Sequence, residues 1–167
     1  PEHTSAVLAR KPEIMCLGIH SANQLYPLTD KATALVVGMG LGQSAWSQSL
    51  LSLAAIINKP QVWDADALNL LAEGKVNLPK ESIITPHLGE AARLLDCDIK
   101  TIQQDKVQAA INIRQRYQCT VVLKGKGTLI AGLDNSLTLC EHGHPAMAGA
   151  GLGDVLAGLI GALLAQH

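Results

Sequence analysis

Residues 33–59 read TALVVGMGLGQSAWSQSLLSLAAIINK and contain three successive patterns that predict the fold. TALVVG is a short apolar run with β-branched residues, which is typical of a buried strand. GMGLG follows as a glycine-rich turn. Beyond it, Trp46, Leu50 and Leu53 recur at the spacing of one face of an amphipathic helix. A strand, a turn and a helix in this order predict a βα unit of an α/β fold.

The same alternation of strands and helices continues on both sides of this segment. Further predicted strands are IMCLGI (14–19), QVWDAD (61–66), SIITP (82–86), TVVLKG (120–125), GTLIAG (127–132) and SLTLC (136–140). Further predicted helices are ALNLLAE (67–73) with Asp66 as its N-cap, LGEAARLLD (88–96), TIQQDKVQAAINIRQRYQ (101–118), and a last helix at the end of the chain.

This order of elements predicts the architecture. Strands that alternate with helices require crossover connections, so most of the sheet should be parallel and covered by helices on both faces. The last three strands follow one another too closely for crossovers and predict antiparallel hairpins at one edge. We therefore expect residues 1–167 to form a single three-layer α/β domain. A chain that is 48% hydrophobic and 16% charged has the composition of a folded domain.

Composition also narrows the function. Thirteen basic and fourteen acidic residues balance to a formal charge of −1, and the absence of a basic run disfavours a nucleic-acid partner. The longest apolar run, residues 155–165, is shorter than the roughly 20 residues that cross a bilayer. PEHTSAVLARKPE, at the start, lacks the pattern of a secretory signal, so we expect a cytoplasmic protein without membrane contact. The cysteines form no C-x-x-C pair, which disfavours a zinc site.

Ligands of such sheets bind beyond the carboxyl ends of the strands, and two acidic motifs follow strands there. In DADALN, Asp64 and Asp66 are candidates for holding a magnesium ion or sugar hydroxyls, although Asp66 also suits a helix cap. In TPHLGE, His87 follows a strand directly, whereas Glu90 enters the first turn of a helix, where acidic residues are favoured for structural reasons alone. Both motifs therefore allow a ligand-binding and a structural interpretation.

Two further motifs are candidates for binding phosphate. GMGLG (38–42) brings backbone amides without side chains to a helix N-terminus, although a tight turn explains its three glycines equally well. Lys124 in LKGKGT ends an apolar strand, where a lone ammonium can meet a phosphate or remain solvated in a hairpin turn.

The segment AMAGAGLGDVLAGLIGALLAQ (146–166) contains a single charge, Asp154. The helix after it has large apolar residues on one face and Ala157, Gly158 and Gly161 on the other, so we expect a buried, central helix. Its first-turn amides and positive dipole end predict an anion-binding site. Asp154 can act there as a base toward a hydroxyl in phosphoryl transfer or only as a stabilising first-turn charge, and we favour the base.

In this order, GMGLG, DADALN, TPHLGE, LKGKGT and AMAGAGLGDVLAG resemble the C-terminal domain of the ADP-dependent NAD(P)H-hydrate dehydratases, a branch of the ribokinase-like superfamily. The similarity runs from Ile14 to the end of the chain. It implies that Asp154 is catalytic. The other site residues that it implies are an anion hole of Gly151, Leu152 and Gly153, nucleotide contacts by Lys124, Gly125, Lys126, Gly127 and Thr128, and substrate contacts by Gly40, His87 and Asp154, with Asp64, Asn69 and Glu90 nearby.

The resemblance also implies a repair reaction. The family phosphorylates the hydroxyl of the S epimer of hydrated NADH or NADPH from ADP with magnesium, and then eliminates phosphate to yield NAD(P)H, AMP and phosphate. A homo-oligomer, an N-terminal epimerase domain in some members and a domain longer than this chain are implied as well. Three places depart from the family pattern, namely Met39, the tripeptide 144–146 and Leu152 in the anion hole.

Two other function classes stay open. A ribokinase-like kinase of a small molecule such as a vitamin precursor would use the same aspartate and anion hole with ATP, although TPHLGE favours the dehydratase. A domain that binds nucleotide without turnover would carry the same motifs. A serine hydrolase is disfavoured because the chain has no G-x-S-x-G elbow.

Overall fold

The computed structural model describes residues 2–166. They form a six-stranded sheet in which the strands lie in chain order. The strands are β1 (Leu35–Val37), β2 (Gln61–Trp63), β3 (Ile83–Ile84), β4 (Thr120–Leu123), β5 (Thr128–Ala131) and β6 (Leu137–Cys140). Strands β1 to β4 pair in parallel, whereas β5 and β6 are antiparallel to their neighbours. The predicted mixed sheet, with its antiparallel strands at one edge, is confirmed.

Helices connect the parallel strands and cover both faces of the sheet. The helices are α1 (Thr4–Arg10), α2 (Tyr26–Thr29), α3 (Ala45–Ala55), α4 (Asp66–Ala72), α5 (Leu88–Leu95), α6 (Ile99–Gln104), α7 (Lys106–Tyr117) and α8 (Leu152–Leu164), with 3-10 turns at Ala22–Leu25 and Pro145–Ala148. Helix α3 links β1 to β2, α4 links β2 to β3, and α5 to α7 link β3 to β4. This is the three-layer α/β architecture that the sequence predicts. Within residues 2–166, no helix has both the length and the apolar character needed to cross a bilayer.

The core lies between the sheet and helices α4, α5 and α7. All three residues of β2 are buried, and Trp63 is the largest fully buried side chain. Its indole Nε1 donates to Gln61 Oε1 at 2.8 Å, and Gln61 Nε2 donates to the Ala54 carbonyl at 2.7 Å. The Gln61 side chain therefore has hydrogen bonds that offset the desolvation cost of its place in the core.

Two predicted elements are wrong. IMCLGI, residues 14–19, does not form a strand, and Met15 is 96% exposed. The predicted helix 101–118 is two helices, α6 and α7, which meet at Asp105. Asp105 has an extended φ of −146°, and its side chain accepts from the Gln108 amide at 2.8 Å. Asp105 caps α7, so one helix ends and another begins where the apolar periodicity alone predicts a single helix.

The prediction of a buried α8 is also wrong in part. Ala157 and Gly161 are its buried residues, and the helix contacts β1 and β2. A Cβ atom on Gly161 would overlap Val36 of β1, so the missing side chain permits the close approach. Val155 and Leu159, on the opposite side, are 65% and 57% exposed. The two buried positions of α8 are therefore small residues, whereas Gly158, which was also predicted on the packed face, is exposed.

Candidate functional site

The carboxyl ends of β2, β3 and β4 bring together three charged side chains that the sequence singles out. Asp64 follows β2, Lys124 follows β4, and Glu90 lies in the first turn of α5 after β3. Lys124 Nζ lies 2.7 Å from Asp64 Oδ1 and 4.0 Å from Glu90 Oε2. The side chains of Asp64 and Glu90 are 2% and 6% exposed, and that of Lys124 is 18% exposed. The site therefore contains two buried carboxylates that share one ammonium.

His87 and Glu90 form a reciprocal cap at the start of α5. The His87 amide donates to Glu90 Oε2 at 2.7 Å, while His87 Nδ1 accepts from the amides of Gly89 and Glu90 at 3.0 and 3.2 Å. Because Nδ1 accepts hydrogen bonds, the ring proton is assigned to Nε2, which lies 3.4 Å from Glu90 Oε1. The imidazole side chain as a whole is half exposed.

Burial is the main influence on the Glu90 carboxyl. Desolvation raises the pKa of Glu90, and the hydrogen bond from the His87 amide and the charge of Lys124 only partly offset it. The nearby charge of Asp64 raises the pKa of Glu90 further. The pKa of Glu90 is therefore shifted from its ordinary value by its surroundings, and such shifted groups are common in sites that bind or react with ligands.

The loop after β1 packs closely against the loop after β2, and this contact fixes the position of Asp64. A Cβ atom on Gly38 would overlap the Asp64 carbonyl oxygen, so this close approach requires glycine. The Asp64 amide donates to the Val37 carbonyl at 3.1 Å. The next residue, Ala65, has φ 51° and ψ −118°, a conformation that costs an alanine about 1–3 kcal/mol. The chain thus turns sharply between Asp64 and α4, and the carboxylate faces the site.

Asp66 is not the N-cap that the sequence predicts. The N-cap of α4 is Ala65, and no side chain caps this helix. Asp66 Oδ2 instead accepts from the Gly42 amide at 2.8 Å, which ties the glycine-rich loop GMGLG to α4. Asn69 Nδ2 lies 3.5 Å from Asp66 Oδ1, and Arg93 Nε donates to Asn69 Oδ1 at 2.9 Å. Asp66 and Asn69 are therefore engaged in bonds that join three elements.

The N-terminus of α8 reaches the same site. Gly151 is the N-cap with φ 85°, and no side chain caps the helix, which leaves the first-turn amides to other partners. A Cβ atom on Gly153 would lie 3.4 Å from Lys124 Nζ and 3.8 Å from Asp64 Oδ2. Asp154, in the same turn, is exposed, as is Leu152. A helix N-terminus, a lysine and an exposed carboxylate therefore lie at one place in the fold.

The turn between β4 and β5, residues 124–128, borders this site. The Lys124 amide donates to the Pro86 carbonyl at 2.8 Å, and Thr128 Oγ1 donates to the Gly125 carbonyl at 3.2 Å. Lys126 and Gly127 lie between them, and the Lys126 carbonyl accepts from Lys106 Nζ at 2.6 Å. The sequence interpretation misses Lys106, because a lysine 20 residues before this turn gives no local signal of such a contact.

The structure brings five of the predicted site residues together. Asp64, His87, Glu90, Lys124 and Gly153 form one contiguous group. Residues 2–166 contain no group of three or more His, Cys, Asp or Glu side chains suited to a metal ion. Asp64 and Glu90 provide buried carboxylate oxygens of the kind that magnesium binds when phosphate oxygens complete its coordination.

Solved structures with a similar fold are ribokinase-like proteins. A ribokinase-like superfamily protein from Enterococcus faecalis matches with a TM-score of 0.82 and 29% identity, covering 97% of this chain and 57% of that one. ADP/ATP-dependent NAD(P)H-hydrate dehydratase from Bacillus subtilis, co-crystallised with ATP and Mg²⁺, matches with a TM-score of 0.72 and 32% identity, covering 81% of this chain and 48% of that one.

Sequence comparison narrows this class to one family. The family model described as NAD(P)H-hydrate dehydratase matches residues 1–167, and the chain belongs to that family. The bifunctional NAD(P)H-hydrate repair enzyme Nnr of Coxiella burnetii is 45% identical over 167 residues, which are 100% of this chain and 34% of that protein. The ADP-dependent (S)-NAD(P)H-hydrate dehydratase of Neisseria meningitidis is 44% identical over 169 residues, covering 96% of this chain and 55% of that protein. The chain thus spans about a third to a half of these relatives.

Proposed function

We propose that the protein catalyses the ADP-dependent dehydration of the S epimer of hydrated NADH or NADPH. The observation that carries this proposal is the N-terminus of α8 beside the Lys124–Asp64 pair, with Asp154 exposed in the same helical turn. Membership of the NAD(P)H-hydrate dehydratase family and the name of the Neisseria relative support the choice of substrate and phosphate donor.

The chemical problem is a poor leaving group. The hydrate carries a hydroxyl on the ring carbon beside the nicotinamide nitrogen. Asp154 accepts the hydroxyl proton while the oxygen bonds to the β-phosphorus of ADP, and the bond from that phosphorus to the bridging oxygen breaks to release AMP. Phosphate then leaves the ring carbon with assistance from the nitrogen lone pair. Loss of a proton from the adjacent carbon restores the double bond of NAD(P)H.

The chain supplies positive potential where charge develops on the phosphoryl group. Residues 151–153 lie at the N-terminus of α8, where the positive end of the helix dipole favours an anion. Lys124 has three N–H donors, and only Asp64 lies within hydrogen-bond distance among the residues described, so the ammonium can also donate to phosphate. A helix N-terminus and an ammonium therefore converge on one oxyanion.

We assign the remaining site residues their roles from their places around the site and from the family resemblance. Residues 124–128 would contact the nucleotide, and Gly40 and His87 would contact the hydrated dinucleotide. Asp64 and Glu90 would hold magnesium together with the nucleotide phosphates, and that ion would neutralise charge on the phosphoryl group. Asn69 would act indirectly, because its side chain holds Arg93 and Asp66.

The setting of this activity is part of the proposal. The Coxiella relative is named a bifunctional repair enzyme, which supports an accompanying epimerase domain as partner. We further propose a homo-oligomer in the cytoplasm, where reduced nicotinamide dinucleotides are used.

The test is recovery of absorbance in the reduced-nicotinamide band after the protein is mixed with hydrated NADH, magnesium and ADP. We expect recovery with ADP and none without it. Asp154→Asn should lower the rate by at least about 100-fold, since it removes the base. Asp30→Asn, at an exposed aspartate of the same type, is the matched control and should keep full activity. Full turnover by a folded Asp154→Asn variant would refute the role of Asp154.

The phosphate donor decides between this function and a kinase. The Bacillus enzyme is named ADP/ATP-dependent, so ATP is compared directly with ADP as the donor. A dehydratase should form NADH together with AMP from ADP. A small-molecule kinase would instead consume ATP with a vitamin precursor and leave hydrated NADH unchanged. Calorimetric binding of ADP without AMP formation would favour a nucleotide-binding domain without turnover.

A further inference from the structure

Lys106 makes an unusual contact with the turn between β4 and β5. It is the first residue of α7, and its side chain is partly buried. The ammonium Nζ donates to the Lys126 carbonyl at 2.6 Å and to the Gly127 carbonyl at 3.4 Å. A Cβ atom on Gly127 would lie 3.8 Å from the same Nζ, so the ammonium is close to the backbone of the turn. One lysine therefore holds two successive peptide units.

A lysine at the first position of a helix is electrostatically unfavourable, and the contact of Lys106 with the turn carbonyls compensates for this cost. The N-terminus of a helix carries partial positive charge and favours acidic residues over lysine. Among residues 2–166, no carboxylate lies within 4 Å of the Lys106 ammonium. The carbonyls of the turn are thus its hydrogen-bond partners. An ammonium bonded to carbonyl oxygens makes charge-assisted hydrogen bonds, which are stronger than neutral ones.

The turn itself has a permissive backbone. Gly125 and Gly127 have φ values of 159° and 68°, which glycine adopts without strain. Such a segment has many accessible conformations and loses entropy when a ligand orders it. A contact from outside the turn that selects one conformation lowers this cost before the ligand arrives.

The contact also determines the direction of an amide. In a trans peptide unit the C=O and N–H bonds point in opposite directions. The Lys126 carbonyl and the Gly127 amide belong to one peptide unit. Because this carbonyl points toward the Lys106 ammonium, the Gly127 amide points away from that ammonium. An amide held in a fixed direction is a preorganised donor for a phosphate oxygen.

We propose that Lys106 is a positioning residue for the phosphates of a nucleoside diphosphate. It acts through the backbone of residues 125–127 and does not touch the ligand. This inference rests on the proposed function in one respect, the binding of nucleotide at the turn. The restraint of the turn is a property of the free protein and can be measured separately.

The test compares Lys106→Met, which keeps the length of the side chain but removes the ammonium, with Lys106→Arg, which restores a cationic donor. Lys100→Met, at an exposed lysine on α6, is the matched control. Hydrogen exchange of the amides in residues 124–128 is measured without ligand. The Kd for ADP is measured by calorimetry, and KM for ADP and kcat are measured with hydrated NADH.

We expect faster exchange of the turn amides in Lys106→Met. Its Kd and KM for ADP should rise by roughly tenfold, the scale of one charge-assisted hydrogen bond, while kcat changes by less than about twofold. Lys106→Arg should recover most of both effects, and Lys100→Met should match the unchanged protein. If Lys106→Met does not fold, Lys106→Gln, which keeps an N–H donor without charge, replaces it with the same readouts.

Two results would overturn the inference. Unchanged exchange and unchanged Kd in a folded Lys106→Met variant would mean that the contact restrains nothing. Weaker ADP binding with unchanged exchange would mean that the lysine contacts the phosphates directly. If the unchanged protein binds no ADP, the proposed function fails, and the exchange measurement still decides whether Lys106 orders the turn.

Discussion

Strand β2 and helix α8 are both strongly apolar, but they are buried to very different extents. Val62 and Trp63 of β2 are fully buried, with an exposed fraction of 0%. In α8, Val155, Leu159 and Leu163 are 65%, 57% and 51% exposed, although no charged residue follows Asp154 in this helix. Hydrophobic content therefore does not by itself determine which segment enters the core.

The difference in burial between β2 and α8 follows from how many sides of each element are covered by other elements. A central parallel strand is covered on both faces, so its large side chains have packing partners in both directions. Helix α8 contacts β1 and β2, and its fully buried residues there are Ala157 and Gly161. Small residues bring the helix axis close to β1 and β2, and this position puts Gly153 next to Lys124 and Asp64. The packing of small residues on one face thus sets the location of the proposed anion site.

The largest expected effect contrasts the two regions directly. Trp63→Ala should lower the free energy of unfolding by about 3–5 kcal/mol, because it leaves a cavity in the core and removes the hydrogen bond to Gln61. Leu159→Ala, in the exposed face of α8, should change it by less than about 0.5 kcal/mol. Urea denaturation of both variants measures the difference. Similar losses in the two would mean that the exposed face of α8 is covered in solution.

A second contrast lies within α8. Gly161→Ala should lower the free energy of unfolding by about 1–3 kcal/mol, because the new methyl overlaps Val36. Gly158→Ala, one turn earlier, meets no atom within 4 Å and should raise it by about 0.5–1 kcal/mol, since alanine is the better helix former. Thermal and urea unfolding of the pair test the sign. A stabilising Gly161→Ala would contradict the close packing of α8 on β1.

The smallest effect concerns the pH dependence of stability at Glu90. Burial raises the pKa of Glu90 in the folded protein above its ordinary value of 4.5. The stability that this shift contributes is therefore fully present below pH 4.5 and is lost as the pH rises through the raised folded value. Glu90→Gln cannot titrate, so its stability should fall less over this interval than that of the unchanged protein.

Denaturation curves at several pH values, with the exposed Glu73→Gln as control, measure this difference. Glu73→Gln should retain the pH dependence of the unchanged protein. Parallel pH profiles for Glu90→Gln and the unchanged protein would show that Glu90 titrates alike in the folded and unfolded states. Helix α8 offers no comparable group, because its single carboxylate, Asp154, is exposed.

Most of the fold could be predicted from local patterns. The strand at residues 120–123 and the helices at 45–55 and 88–95 have clear periodicity and turn residues at their ends. The strand predicted at 14–19 did not form although β1 is at the edge of the sheet, and its apolar side chains Met15 and Leu17 are exposed. The single helix predicted at 101–118 was wrong because the apolar periodicity continues past Asp105, whereas the helical backbone is interrupted at this residue.

The site was predictable where it depends on strand ends. Asp64 and Lys124 each follow a buried parallel strand, and such ends meet at one edge of the sheet. Their direct contact joins residues 60 positions apart, and it was not among the predicted interactions. The bond from Asp66 to Gly42 and the contact of Lys106 with Lys126 were missed for the same reason, since each crosses between elements.

The sequence by itself determined the order of strands and helices, the mixed sheet, and the polar residues that follow the strands. These are local properties, because periodicity and turn residues act over a few neighbouring positions. Only the tertiary structure decided which face of α8 packs, which carboxylate pairs with Lys124, and which lysine holds the turn at 125–127. Such choices depend on side-chain volume and distance between segments far apart in the chain, and packing in three dimensions is what determines them.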